Sequence, residues 1–200
     1  PYFVEYVGKT KDKLEIQNDD KEMNLHLLED SFANIYATIR KNIFVFHPNK
    51  HHAEFLTEFK KYFYLSNVLI WVKNTFALSR SDFHWRYEPI LYGWKEGEGH
   101  NWYGDRKQSN ILEFNKPSAS REHPTMKPLD LLEYLIKLTT QVGDWVLDPF
   151  AGSGSTLLAC HNLNRKCYSI EFDPKYCDVI IERYENQTGE KAVKITEEEE

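Results

Sequence analysis

Two glycines one residue apart, Gly152 and Gly154, follow an apolar run closed by an acid and a proline, Val146-Leu147-Asp148-Pro149. Hydroxyl and small apolar residues come next, Ser155-Thr156-Leu157-Leu158-Ala159. The pattern spells strand, tight loop, helix. Such a turn lets a ligand approach bare backbone, because glycine tolerates positive φ, and the helix behind it presents N–H groups with no partner inside the helix. A phosphate loop would need Gly-Lys-Ser/Thr at this point and a dinucleotide fingerprint a third glycine; neither is present. Glu171 closes the next strand-like run, Lys166-Cys167-Tyr168-Ser169-Ile170, where a carboxylate can accept hydrogen bonds from ribose hydroxyls. From the residues alone the ligand is an adenosine-type molecule, dinucleotide or other.

The elements that hold this turn follow from periodicity. Pro1 to Asp20 is polar, lacks a period and reads as a long loop leaving the end of a strand that the chain does not contain. Leu25, Leu28, Phe32, Ile35, Tyr36 and Ile39 recur at helical spacing, with the helix ending near Arg40-Lys41. Ile43 to His47 predicts a buried strand stopped by Pro48. Phe55, Leu56, Phe59, Tyr62 and Phe63 predict a second helix, and Val68 to Val72 a further strand. This alternation implies an α/β fold, a mainly parallel sheet with helices on both faces. His84 to Trp94 is aromatic and alternating and predicts an antiparallel strand or hairpin at the sheet edge. Gly93 to Arg121 has no helical period and reads as an extended excursion. Pro128 opens a helix carrying Leu132, Leu135, Ile136 and Thr139, and Asp173-Pro174 opens the last one, which stops before Gly189.

Composition sets broader bounds. Two hundred residues, 41% of them hydrophobic, suffice for one domain with a full core. Three cysteines, Cys160, Cys167 and Cys177, show no metal-ligand spacing, which points to a reduced, cytoplasmic setting. No stretch reads as a secretion signal or a membrane span. A net charge of −6 argues against nonspecific coating of nucleic acid and leaves a local basic groove open. With Pro1 in place of an initiator methionine, the expectation is that residues 1–200 form one domain, incomplete at its N-terminus, from the downstream part of a longer protein.

Asp148-Pro149-Phe150-Ala151-Gly152-Ser153-Gly154-Ser155-Thr156 closely resembles the cofactor loop of the S-adenosylmethionine-dependent DNA amino-methyltransferases, which modify the exocyclic amine of adenine (N6) or cytosine (N4). His123-Pro124-Thr125-Met126-Lys127-Pro128 resembles the second cofactor motif of that family, and Pro1-Tyr2 the last half of its catalytic Asp-Pro-Pro-Tyr. The order, catalytic motif before cofactor loop, is the permuted order of the family's beta group. The resemblance spans essentially the whole chain and is most specific from Glu122 to Glu171.

It implies a Rossmann-like methyltransferase fold with permuted motifs and S-adenosylmethionine as cofactor. Asp148, Phe150, Gly152, Gly154 and Thr156 would form the loop around it, with Asp148 near its ammonium group and Glu171 on the ribose. His123, Thr125 and Lys127 would lie at its methionine end, where Thr125 and Lys127 bind the carboxylate, and Phe46 would line the pocket. Tyr2, next to Pro1, would stack on a flipped target base, and methyl transfer would be one direct displacement without a covalent enzyme intermediate. The acceptors that activate the amine would precede Pro1, so this chain is expected to bind cofactor and transfer little methyl. Adenine N6 is the favoured target.

The implied partner is double-stranded DNA, in a bacterial or phage-infected cell and within restriction-modification. The resemblance is compatible with a homodimer, and with an upstream ParB-like domain such as some bacterial and phage relatives carry. Residues 93–121 form the candidate target-recognition segment. Arg86, Trp102, Tyr103, Arg106 and Lys107 are the candidate DNA contacts, since cations meet phosphates and rings stack on bases. The histidines His47, His51, His52 and His84 lack ligand spacing and read as structural, so no metal is expected. Rival readings are a methyltransferase of the same fold acting on RNA or protein, and an inactive DNA-binding or cofactor-sensing module.

Overall fold

The computed structural model describes residues 21–77, 82–116 and 126–195. Helix α1 (Lys21–Thr38) leads into strand β1 (Asn42–Phe46), a single turn of tighter helix, and α2 (His52–Tyr62). Strands β2 (Phe63–Ala77), β3 (Trp85–Lys95) and β4 (Ile111–Glu113) follow, then α3 (Leu129–Thr139), β5 (Trp145–Asp148), α4 (Ser155–Asn162), β6 (Lys166–Ser169) and α5 (Pro174–Thr188). The four strands of the larger sheet lie in the order β1-β3-β2-β4, and β5 pairs with β6 in a second, parallel ribbon. β1, β2 and β4 run in one direction and β3 runs against them. The larger sheet is therefore mixed: β2 and β4 pair in parallel, as the alternation implies, while β3 pairs antiparallel with β1 and β2.

The reversed strand is not at the edge. β3 is inserted between β1 and β2, with Phe44 opposite Tyr92 on one side and Val68 opposite Leu91 on the other. Burial explains the position. From Glu88 to Gly93 every residue of β3 is buried, which needs cover on both faces. Pro89 is tolerated inside the sheet because β1 ends at Phe46, opposite Ile90. The Pro89 carbonyl takes the His47 amide just beyond that end, so its missing N–H lies on the side where β1 has stopped. Phe63, expected on the helix, instead opens β2: α2 passes into the strand with no loop between them.

Side-chain alternation along the strands sorts the core into layers. Ile43 and Leu91 face α1 and α2, where Leu28, Phe32, Phe55 and Phe59, with Phe63 at the start of β2, pack around them. On the opposite face Trp71, Ile90 and Leu112 meet Leu131 and Leu135 of α3. The other side of α3, Leu132 and Ile136, packs on Ala159, Cys160 and Leu163 of the α4 region, and Val146 of β5 rests on that same cluster. α3 thus ties the two sheets together. Phe46, at the end of β1, touches both of the clusters that α3 makes.

The segment after β3 is not an excursion. β4 within it adds to the sheet alongside β2. The Asn101 amide donates to the Asn42 side chain, and the Tyr103 amide donates to the Leu138 carbonyl at 2.8 Å. Asn110 accepts from the Ile70 amide, and the Tyr134 hydroxyl donates to Gln108. The expectations for Pro1 to Asp20 and for residues 117–121 concern stretches outside the described residues.

Candidate cofactor site

Backbone bonds fix the loop after β5 before any ligand is considered. The Ile170 amide donates to the Asp148 carbonyl at 3.0 Å and the Ala151 amide to the Ile170 carbonyl at 2.9 Å, lacing the loop to the end of β6. Asp148 turns its own carboxylate onto the Phe150 amide at 3.1 Å, a local turn that aspartate is suited to make. Gly152 and Gly154 have φ of +55° and +74°, values that non-glycine residues rarely adopt. Gly154 is also the N-cap of α4, and a Cβ there would stand 3.0 Å from Ile180 of α5. Arg183, one turn further along α5, donates to the Ser153 carbonyl. The loop is closed from behind by α5 and presents backbone on its other side.

Glu171 is the knot of the site. Its Oε2 accepts the Gly152 amide at 2.7 Å and its Oε1 accepts the Asp173 amide at 2.9 Å, while Asp173 caps α5 through the Lys175 amide. One carboxylate thus spans the glycine loop and the start of the last helix. A carboxylate has about four lone-pair positions, so acceptor capacity remains for hydroxyl donors. Phe172 beside it is 73% exposed and Phe150 46%, two rings at the mouth of the loop.

Lys127 precedes Pro128, the residue that caps α3. Its ammonium lies 3.1 Å from Glu88 Oε1 and 5.5 Å from the centre of the Phe46 ring. Burial holds its pKa below the ordinary lysine value, and the Glu88 carboxylate opposes that shift. Asp148, at the end of β5, also acts on Lys127 through its charge, more weakly than Glu88 does. Glu88 carries a second cation, Lys73, at 2.9 Å from Oε2.

The cofactor-site and catalytic residues singled out in the sequence therefore fall into three groups. Asp148, Phe150, Gly152, Gly154, Thr156 and Glu171 come together around one loop; Lys127 and Phe46 stand at the adjoining end of α3 and β1. Pro1, Tyr2, His123 and Thr125 lie outside the described residues. The candidate DNA contacts divide. Arg86 is exposed on β3, two residues from Glu88 and so at the Lys127 end of α3. Trp102, Tyr103, Arg106 and Lys107 gather at the other end of that helix, about 16 Å of helical rise away. There Gly104 presses on Leu138, Trp102 donates to the Asp105 carbonyl, and Asp105 takes the Lys107 amide.

Sequence reasoning missed Glu88, Lys73 and the pairing of two histidines. A lone acid inside the otherwise apolar run Tyr87 to Tyr92 was the available signal for Glu88. His47 is fully buried, its Nε2 2.7 Å from His52 Nδ1 and its Nδ1 3.2 Å from the Val45 carbonyl, between the rings of His52 and Phe55. Among the described residues no cluster suited to a metal occurs. Burial lowers the His47 pKa from about 6.5 to about 4. Between those values the unfolded chain binds a proton that the folded chain excludes, so stability is intact above pH 6.5 and falls as pH drops toward 4. Denaturant unfolding should show a loss of about 2 kcal/mol between pH 7 and pH 5, absent in His47→Asn. An equal loss in that variant would assign the effect to other groups.

Comparison with known proteins adds the following. A family model described as DNA methylase matches residues 1–182. The Type II methyltransferase M.XycI of Xanthomonas campestris pv. cyanopsidis is 32% identical over 103 residues, 51% of this chain and 34% of that protein. M.HindIII of Haemophilus influenzae is 38% identical over 94 residues, 45% of this chain and 30% of that protein. The matched stretch thus spans about a third of these curated relatives. Among solved structures, the M1.HpyAVI–SAM complex is 26% identical with a TM-score of 0.71, covering 82% of this chain and 84% of that one. The cytosine-N4-specific PvuII DNA methyltransferase, 17% identical with a TM-score of 0.69 over 86% of this chain and 76% of that one, shares the fold.

Proposed function

This chain belongs to the DNA methylase family, and we propose that it binds S-adenosylmethionine at the Gly152 loop and serves methyl transfer to the exocyclic amine of adenine (N6) or cytosine (N4) in DNA. The observation that carries this reading is the Glu171 carboxylate joined to the Gly152 amide, in a glycine loop that begins at Asp148, whose charge acts on Lys127. An adenosine bearing an amino-acid tail asks for these groups in this order. Acceptors suit the ribose, exposed rings suit the base, and an acid and a cation suit the two charges of the tail. When bound, the cofactor supplies an electrophilic methyl group.

The chain's own part is placement. Glu171 and the backbone from Ala151 to Gly154 hold the nucleoside, with Phe150 and Phe172 beside it. Asp148 receives the tail's ammonium and Lys127 its carboxylate. An exocyclic amine is conjugated with its ring and lies inside the duplex, so the target base has to leave the stack, at a cost of a few kcal/mol. Tyr2 is assigned to stack on it. Arg86, on the same face of β3 as Glu88, offers a cation to the DNA phosphates on this side of the domain.

The test is chemical identity of the product. Duplex DNA incubated with the full chain and methyl-labelled S-adenosylmethionine, then digested to nucleosides, should carry any label as N6-methyldeoxyadenosine or N4-methyldeoxycytidine. Label in RNA or in protein, with none in DNA, would overturn the substrate assignment.

A further inference from the structure

We propose that Glu88 is a positioning residue for the amino-acid end of the cofactor, holding Lys127 and Lys73 on its two carboxylate oxygens so that both ammonium groups stand ready for the ligand carboxylate. The inference rests on the reading of Lys127 as that carboxylate's partner.

Strand geometry explains why these residues meet. Glu88 pairs with Trp71 across β3 and β2, and alternation places Lys73 on the same face as Trp71, diagonal to Glu88. Ile90 lies on that face too and packs against α3, so the Glu88 side chain points toward the start of that helix, where Lys127 stands. The Glu88 side chain is only 10% exposed. Its Oε1 lies 3.1 Å from Lys127 and its Oε2 2.9 Å from Lys73. Lys73 is further seated 4.7 Å from the centre of the Trp71 ring and Lys127 near Phe46. Both ammonium groups are thereby fixed instead of swinging on four-carbon stems.

Charge supplies the second half of the argument. An ammonium has three donors, so each lysine can hold Glu88 and a further carboxylate at once. Asp148, in the glycine loop, acts on Lys127 through its charge. A zwitterionic amino acid would turn its ammonium toward Asp148 and its carboxylate toward the lysines. Without Glu88 the lysines would repel each other and lose the geometry that receives a carboxylate.

The experiment compares two ligands by calorimetric titration of the full chain: S-adenosylhomocysteine, which has the amino-acid tail, and methylthioadenosine, which lacks it. Glu88→Gln is expected to weaken S-adenosylhomocysteine about tenfold or more and leave methylthioadenosine within about twofold. Glu88→Asp keeps the charge, cannot span both lysines, and is expected to show the same selective loss at smaller size; it reads the proposal if Glu88→Gln fails to fold. Equal loss of both ligands, or of neither, in the folded Glu88 variants would overturn the proposal. Lys127→Gln separates the premise: it should show the selective loss itself. If it does and the Glu88 variants do not, the carboxylate reading of Lys127 stands and the positioning role is wrong. If Lys127→Gln changes neither affinity, the premise fails and the proposal with it.

Discussion

Glu171→Ala should raise the Kd for S-adenosylmethionine roughly a hundredfold while the chain keeps its native circular-dichroism spectrum. The carboxylate takes two backbone donors, Gly152 at 2.7 Å and Asp173 at 2.9 Å. Hydrogen bonds to a charged group contribute about 1.5–3 kcal/mol each. Their loss frees the glycine loop from the end of β6 at the same time as it removes the acceptor assigned to the ribose, so about 3 kcal/mol of binding, or two decades in Kd, is at stake. The fold survives because the loop keeps its other ties, the Ala151 amide on Ile170 and Arg183 on Ser153. Glu171→Gln retains one acceptor oxygen and should fall between, near tenfold. Unchanged affinity in a folded Glu171→Ala protein would remove Glu171 from the site. Glu171 is a cleaner probe than Gly152, where φ of +55° makes any substitution strain the backbone as well as fill the loop.

Gly93→Ala should cost at least about 4 kcal/mol in urea unfolding, or prevent accumulation of folded protein altogether. A glycine inside a strand ordinarily weakens it, and alanine would be expected to help. Here the sign reverses. The added Cβ would run into the Tyr64 carbonyl oxygen and stand 3.0 Å and 3.1 Å from two ring atoms of Phe59, itself fully buried. β3 is paired on both sides at this point, to Ile43 and to Leu65, so neither strand can step aside. The register shift in β2 between Leu65 and Asn67 begins beside this contact. A loss within about 1 kcal/mol would mean that β2 and β3 do not approach as closely as described.

What could be read from the chain alone was what depends on neighbours a few residues away. Asp173-Pro174 caps α5 and Gly189 ends it in the left-handed conformation; both are local signals. The glycine loop is legible for the same reason, since Gly152 and Gly154 are needed for their φ values whatever surrounds them. Strand order is not local. Period-two alternation before Pro89 suggests an edge, whereas the unbroken burial from Glu88 to Gly93 belongs to a strand covered on both faces. The contact between Glu88 and Lys127 joins residues 39 positions apart, and no period in the sequence encodes it. Trp102 and Tyr103 have the composition of a nucleic-acid loop, yet their backbone is tied to the far end of α3 by the Tyr103–Leu138 bond. Composition names what side chains can do, while topology decides where they do it. Arg86 and the Trp102 group, alike in chemistry, end on opposite ends of one helix for that reason.

The central claim is that the loop from Asp148 to Thr156, knotted by Glu171, binds S-adenosylmethionine. Calorimetric titration of the full chain with that molecule tests it most directly. One binding site, displaced by S-adenosylhomocysteine and lost in Glu171→Ala, is the expected result; a folded chain that gives no saturable heat with either molecule would contradict it.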